Sequence, residues 1–201
     1  MSKLPLSFYL RDNVVQISRD LLGKFLVTDI GGEGITAGKI VETEAYAGEI
    51  DRASHAFGGR YTKRTQVMYE EGGRAYVYFI YGFYNLFNII TNEFRTPHAI
   101  LIRAIEPAEG IEIMLKRRKM DKVKPNLCAG PGLLTQALGI TRDHNGISLL
   151  GDVVWLEDRG ITIPKKEISA GPRVNVHYAG KDALLPWRFS IKDNKWVSKA
   201  K

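Results

Sequence analysis

A single cysteine, Cys128, stands in the 201 residues, which excludes an intrachain disulfide and any cysteine-rich zinc site. The histidines are few and widely spaced, at His55, His98, His144 and His177. No cluster with metal-ligand spacing exists, so neither a metal nor another cofactor is expected. No run approaches about 18 consecutive apolar residues, so no membrane span is indicated. The start, Met1-Ser2-Lys3-Leu4-Pro5, lacks the apolar core of a secretory signal. Glycine does cluster in Gly31-Gly32-Glu33-Gly34. Its spacing matches neither common phosphate-loop fingerprint, however, and fits a turn between strands. Acidic residues are the minority, 22 against 29 basic, giving a net charge of +7. A reduced, intracellular setting follows, the cytoplasm and nucleoid in a bacterium, and the charge favours a polyanionic partner.

What is present divides into scaffold and one dense stretch. The scaffold begins with an amphipathic helix over 12–22, capped by Asp12 and ended by Gly23. Strands are expected over 25–30, 35–47 and 99–105, with a β-hairpin over 75–90. Helices follow over 108–120 and from Leu133 to Leu138. Short strands close the chain at 153–157, 161–163, 173–177 and 188–191. Without a βαβ rhythm this reads as α+β with a largely antiparallel sheet, in one domain over residues 1–201.

The dense stretch runs from Gly38 to Asn88. Alternation along the strand Ile35 to Ala47 puts Ile40, Glu42, Glu44 and Tyr46 on one face, and Val41, Thr43 and Ala45 on the other. Two glutamates inside such a strand either lie on a solvated edge beside Lys39 or do chemistry. A long irregular connection over 48–74 then carries His55 and the basic, hydroxyl-rich run Arg60, Thr62, Lys63, Arg64. Short donors and cations on a glycine-bearing loop suit phosphate contact. In the hairpin, Tyr76, Tyr78 and Ile80 face one way, with Val77, Phe79 and Tyr81 opposite. An aromatic core explains some of these rings, but poorly explains Tyr81 at the tip. Arg103 sits in an apolar strand, where it must reach water or pair with a buried carboxylate. A basic cluster, Lys116-Arg117-Arg118-Lys119, ends the second helix. Dipole compensation or a phosphate track would each account for it.

Several of these segments resemble the alkyladenine (3-methyladenine) DNA glycosylase family. They are Arg19 to Lys24, Gly38 to Tyr46, Ser54-His55, Gly58-Gly59-Arg60, Tyr76 to Gly82, Asn88, Leu101 to Pro107, Leu127 to Gly132 and Gly171 to Val174, in the family's order along nearly the whole chain. The resemblance implies a base-excision repair enzyme that hydrolyses the N-glycosidic bond of alkylated purines in double-stranded DNA, as a monomer and without strand cleavage. It also implies a curved antiparallel sheet with a protruding hairpin. Glu44 matches the water-activating glutamate and Arg103 the arginine that helps hold the water. Tyr46, His55 and Tyr78 match residues that sandwich and contact the flipped base. Asn88 matches the pocket-floor position that discriminates against guanine, and Tyr81 the residue inserted into the duplex. Phe83 and Asn85-Leu86-Phe87 depart from the family pattern beside wedge and pocket, which bears on substrate range.

Chemistry narrows the carboxylates. Residues i and i+2 in a strand lie about 7 Å apart, within the roughly 6.5–9.5 Å separation of inverting glycosidases. Projecting in parallel, they cannot flank a scissile bond, so Glu44 is expected to act with Glu42 as support. Two other readings remain: a noncatalytic single-strand-binding platform, and an N-glycosidase of free nucleosides. The first leaves the carboxylates unexplained, and the second has no use for Tyr81 or the basic loop.

Overall fold

The computed structural model describes residues 2–80 and 82–199, so Tyr81, assigned above to the hairpin tip, lies outside the described residues. The strands are β1 (Ser2–Lys3), β2 (Phe25–Asp29), β3 (Ile35–Tyr46), β4 (Arg74–Ile80), β5 (Tyr84–Thr91), β6 (His98–Glu109), β7 (Val154–Asp158), β8 (Ile168–Gly171) and β9 (Arg188–Ile191). The helices are α1 (Leu6–Tyr9), α2 (Val14–Asp20), α3 (Ile111–Arg118) and α4 (Pro131–Leu138). One curled sheet runs β1-β7-β2-β3-β6-β5-β4, with β9 pairing both β3 and β8. Each of these pairings is antiparallel. The class is α+β, and the β4–β5 hairpin extends to an exposed end at Gly82 and Phe83.

The sheet is apolar on both faces. On one face, Val77, Phe87, Ile89 and Ile100 join the main core with residues of α2, α3 and α4. On the other, Tyr76, Ile90 and Ala99 form a second cluster with Val67, Met68 and Tyr69 of the long connection. Burying each of the Val, Ile, Phe and Met side chains stabilises the fold by about 1.5–3 kcal/mol before entropy is counted. Consecutive strand residues thus serve different cores, which is why β4, β5 and β6 read as nearly continuous apolar runs.

Strand β3 is the hub. One edge pairs with β6 from Ala37 to Tyr46, while the other meets β2 up to Lys39 and then β9 from Glu42 to Glu44. Glu42 and Glu44 are therefore interior to the sheet and fully buried, not on a solvated edge.

Several boundaries differ from the sequence expectation. Helix α2 is capped by Asn13, whose side chain accepts from the Gln16 N–H at 2.9 Å, rather than by Asp12. Residues 161–163 and 173–177 are not strands; the second segment holds short-range turns and Asn175 at φ 59°. Strand β8 went unanticipated, because Ile168-Ser169-Ala170-Gly171 carries little β-forming bulk. Alternation along β3 also fails at one point. Ile40 lies in the main core beside Val41, because Val41 is an extra residue between the Ile40–Ile105 and Glu42–Ala104 pairs. Such a bulge resets which side each later residue faces.

Candidate active site

A cavity of about 650 Å³ opens on the face of the sheet that carries the second core. Alternate residues of four strands point into it: Glu44 and Tyr46 from β3, Tyr76 and Tyr78 from β4, Leu86 and Asn88 from β5, Leu101 and Arg103 from β6. The connection 48–74 supplies Ser54, His55 and Met68. Residues Ala129 to Leu133 at the start of α4, Val174 to Val176, Tyr178, Ser198 and Lys199 add to the wall.

Glu44 sits at the polar end. Its Oε1 accepts from the Val174 N–H at 2.7 Å and lies 3.2 Å from Arg103 Nη1. Its Oε2 accepts from the Tyr46 hydroxyl at 2.7 Å. Glu42 does not line the cavity. It takes Arg103 Nε at 2.9 Å and Arg188 Nη1 at 3.4 Å on Oε1, and the Ser198 N–H at 2.8 Å on Oε2. Arg103 thus spans both carboxylates, with Nη2 donating to Ser198 Oγ at 3.2 Å. A second bulge makes this reach possible. Between the Glu42–Ala104 and Thr43–Ile102 pairs, Arg103 is the extra residue on β6. Of the two alternatives its apolar run left open, water or a buried carboxylate, the structure shows the second, with two carboxylates.

The aromatic walls are interlocked. His55 Nδ1 and the Tyr76 hydroxyl are 2.9 Å apart, and the His55 ring meets Tyr78 edge-on at 4.7 Å between centroids. Arg64 stacks over Tyr78 at 5.0 Å and brings a guanidinium nitrogen to 3.4 Å from His55 Nε2. Burial, with Arg64 and Arg60 adding positive charge nearby, holds the His55 pKa down at about 4. His55 is therefore neutral at physiological pH, one nitrogen a donor and the other an acceptor. Burial also raises the phenols of Tyr46 and Tyr78 well above their ordinary range, so both keep their protons. Asn88 donates from Nδ2 to the Tyr76 carbonyl at 3.1 Å, which fixes its amide and leaves its oxygen for another partner.

The structure therefore brings Glu44, Tyr46, His55, Tyr78, Asn88 and Arg103 to one cavity, from four strands and a loop. Arg60, Thr62, Lys63 and Arg64 lie on the exposed part of the connection that also carries His55. Thr62 spends its hydroxyl and N–H on Thr65. Arg117 and Arg118 lie elsewhere, half-buried and bonded to other parts of the fold. Arg117 bonds Glu33 at 3.0 Å and the Ile30 carbonyl at 3.0 Å, while Arg118 bonds Gln136 and the Asn126 carbonyl. Neither alternative weighed for that cluster, dipole compensation or a phosphate track, named these internal bonds of Arg117 and Arg118. Sequence reasoning assigned no role to Val174, Ser198, Tyr84, Leu133 or Tyr178, all of which line the cavity. The Gly171-Pro172-Arg173-Val174 motif was the one signal pointing to the first of them.

A buried carboxylate capped by a backbone N–H, an arginine and a phenol, at the end of an aromatic-walled cavity sized for a base, is suited to hydrolysis beside a stacked ring. The sequence model of methylpurine-DNA glycosylase matches residues 7–195. The chain belongs to that family. Among related proteins, one from Bacillus cereus is 46% identical over 97% of this chain and 98% of its own length. Others, from Chlamydia felis and Clostridium novyi, are 44% and 42% identical over 96% and 99% of this chain and 100% of their own lengths. All three are provisionally named 3-methyladenine DNA glycosylases. As a family member the chain is a DNA glycosylase, a hydrolase of base-excision repair, and its substrate is DNA. Among the described residues no helix is long and apolar enough to cross a membrane.

Proposed function

We propose that this glycosylase excises 3-methyladenine, and with it other alkylated or deaminated purines such as 7-methylguanine, hypoxanthine and ethenoadenine, using water activated by Glu44. The observation that carries the reading is the position of Glu44 at the polar end of a cavity whose walls are Tyr46, Tyr78 and His55. A base in a duplex must be flipped out to reach such a site, at a cost of a few kcal/mol. Stacking returns about 1–3 kcal/mol per aromatic contact, so two rings offset most of that cost. A cationic alkylpurine gains a further cation–π contribution against the same rings.

Departure of the base leaves an oxocarbenium-like sugar. Glu44 stabilises that cation and takes a proton from the attacking water, with Arg103 and the Val174 N–H fixing the carboxylate. For the cationic alkylpurines, 3-methyladenine and 7-methylguanine, the base leaves readily, so one carboxylate suffices and no paired general acid is required. Glu42 acts on this scheme through Arg103, to which it is bonded. The rest of the reading follows the family: Tyr81 fills the space left in the duplex, Arg60, Lys63 and Arg64 meet the backbone phosphates, and one chain works alone inside the cell. On this reading water rather than a lysine is the nucleophile, so the product is an intact strand with an abasic site.

One assay tests this against its rivals. Release of base from alkylated duplex is measured beside release from the free alkylated nucleoside, for the wild type and Glu44→Gln. Release from duplex alone, lost in Glu44→Gln with duplex binding kept, is the expected result. Release from free nucleoside at equal rate, binding without release, or trapping of enzyme on DNA by borohydride overturns it.

A further inference from the structure

One buried ion pair has no part in the scheme above. The side chains of Arg173 and Asp51 are both fully buried, and they join through both ends of the guanidinium, Nη2 meeting Oδ1 at 2.8 Å. A pair this deep is weak grounds for stability, since desolvation cancels much of its attraction. Its contacts instead run to the parts of the active site. Arg173 Nη1 donates to the Ala45 carbonyl at 2.9 Å, between Glu44 and Tyr46. Its Nη2 donates to the Asp182 carbonyl at 3.1 Å. Asp51 accepts from the N–H groups of Ala47 and Ala53 at 3.1 and 3.0 Å, at the two ends of the turn that leads to Ser54 and His55.

The guanidinium is also stacked between rings, 4.8 Å from the Tyr46 centroid and 5.1 Å from that of Trp187. Tyr46 lines the cavity and Arg173 does not, so the cation lies behind the wall that Tyr46 forms. The next residue is Val174, whose N–H caps Glu44. The chain around it is held from the other side by Arg188, whose Nε donates to the Pro172 carbonyl at 3.0 Å. Just beyond, Asn175 adopts φ 59°, a left-handed turn conformation that asparagine enters more readily than other non-glycine residues.

We propose that Arg173, held by Asp51, is a positioning residue of the excision reaction, which sets the Val174 N–H on Glu44 and the Tyr46 ring against the base as one unit. A flat, forked cation is needed for this, because only it can bond a carboxylate twice, reach two carbonyls and stack on two rings. The fixed carboxylate is what matters chemically, since misplacement by about 1 Å costs about 10²-fold in rate. The inference rests on Glu44 being the water-activating group, but it makes a structural claim that survives the failure of that reading.

The test uses two variants of the full chain. Arg173→Lys keeps the charge beside Asp51 and loses the fork and the flat face. Under single-turnover conditions on alkylated duplex it is expected to excise about 10²-fold more slowly, with the duplex Kd near wild type. Arg173→Ala is expected to regain rate with added guanidinium ion and not with urea. In 15N-labelled protein the Val174 amide proton, downfield in the wild type as a donor to a carboxylate, moves upfield in Arg173→Lys. A wild type that excises nothing would remove the chemical reading alone, and the amide shift would still decide the positioning. Wild-type excision by Arg173→Lys, equal rescue by urea, or an unmoved Val174 amide overturns the proposal.

Discussion

The Tyr46 hydroxyl donates to Glu44 Oε2 at 2.7 Å, so the aromatic wall and the carboxylate of this site are one hydrogen-bonded unit. Burial, reinforced by the Glu44 charge, keeps that phenol protonated and therefore a donor. Tyr46→Phe keeps the ring and removes only the donor. Hydrogen bonds to charged groups contribute about 1.5–3 kcal/mol, so single-turnover excision is expected to fall about 10–100-fold with duplex affinity unchanged. A variant as fast as wild type would show the bond to be idle. Tyr46→Ala removes the ring as well, and should cost more on cationic 3-methyladenine than on nonspecific duplex binding.

The two glutamates separate by what they touch. Glu44→Gln is expected to abolish excision and leave duplex binding intact, because the cavity and its walls remain. Glu42→Gln leaves the Arg103 guanidinium short of one charged partner in a buried site, and breaking such pairs costs about 3–5 kcal/mol. Its effect should appear as a lower Tm, with the folded fraction still excising substantially. Equal chemical losses in both variants, at temperatures where both are folded, would contradict this division.

That division was legible in part. Alternation on β4 placed Tyr76, Tyr78 and Ile80 on one face, and all three line the cavity. On β3 the same logic put Ile40 with the carboxylates, and the bulge at Val41 moved it to the core. A one-residue bulge leaves no mark in a run such as Ile40-Val41-Glu42, since every residue in it is at home in a strand. The apolar neighbours of Arg103 left either water or a buried carboxylate as its partner, and its two-carboxylate span depends on a second bulge. Val174 stood in a recognisable motif without a role, and Ser198 was not legible at all. Their bonds to the two glutamates come from backbone N–H groups, and a backbone donor carries no residue type to read.

His55 gives a titration test. Burial first, then Arg64 and Arg60, depress its pKa to about 4, from an unfolded value of 6.5. Between those values the unfolded chain binds the proton and the folded chain does not, so stability rises with pH there. The contribution is complete above pH 6.5 and is lost as pH falls towards 4. In an NMR titration His55 should remain neutral well below pH 6, and Arg64→Ala should raise its pKa without restoring it fully, because burial persists. A His55 that titrates normally in the folded wild type would refute this.

The basic residues should sort by salt dependence. Arg60, Lys63 and Arg64 are exposed on the connection beside the cavity, whereas Arg117 is mostly buried against Glu33 and the Ile30 carbonyl. Each phosphate contact removed should lower the slope of log K against log salt by about 1. Lys63→Ala and Arg60→Ala are expected to do so, with duplex binding weakened whatever the sequence. Arg117→Ala should lower the Tm and leave the slope unchanged. A reduced slope in Arg117→Ala would restore the end of α3 as part of the DNA surface.

Gly132 tests how closely α4 is fitted to the cavity. A Cβ there would stand 2.4 Å from Cδ1 and 2.5 Å from Cγ of Tyr84, a ring that lines the site. The backbone at Gly132 is helical, so no left-handed conformation is at stake and the close approach alone demands glycine. Accommodating a methyl group means moving the ring or the helix, and overpacking of this kind costs about 1–3 kcal/mol. For a chain of this size each kcal/mol lowers the Tm by about 2–4 °C. Gly132→Ala should therefore lose stability and, because Tyr84 must shift into or across the cavity, also lose excision measured on the folded enzyme. Gly151→Ala is the matched control. Its added Cβ meets only the Ser148 carbonyl at 3.5 Å, an ordinary contact, so neither Tm nor rate should change. If Gly132→Ala behaves like Gly151→Ala, the wall formed by Tyr84 and the start of α4 yields without cost, and the close fit does not shape the site.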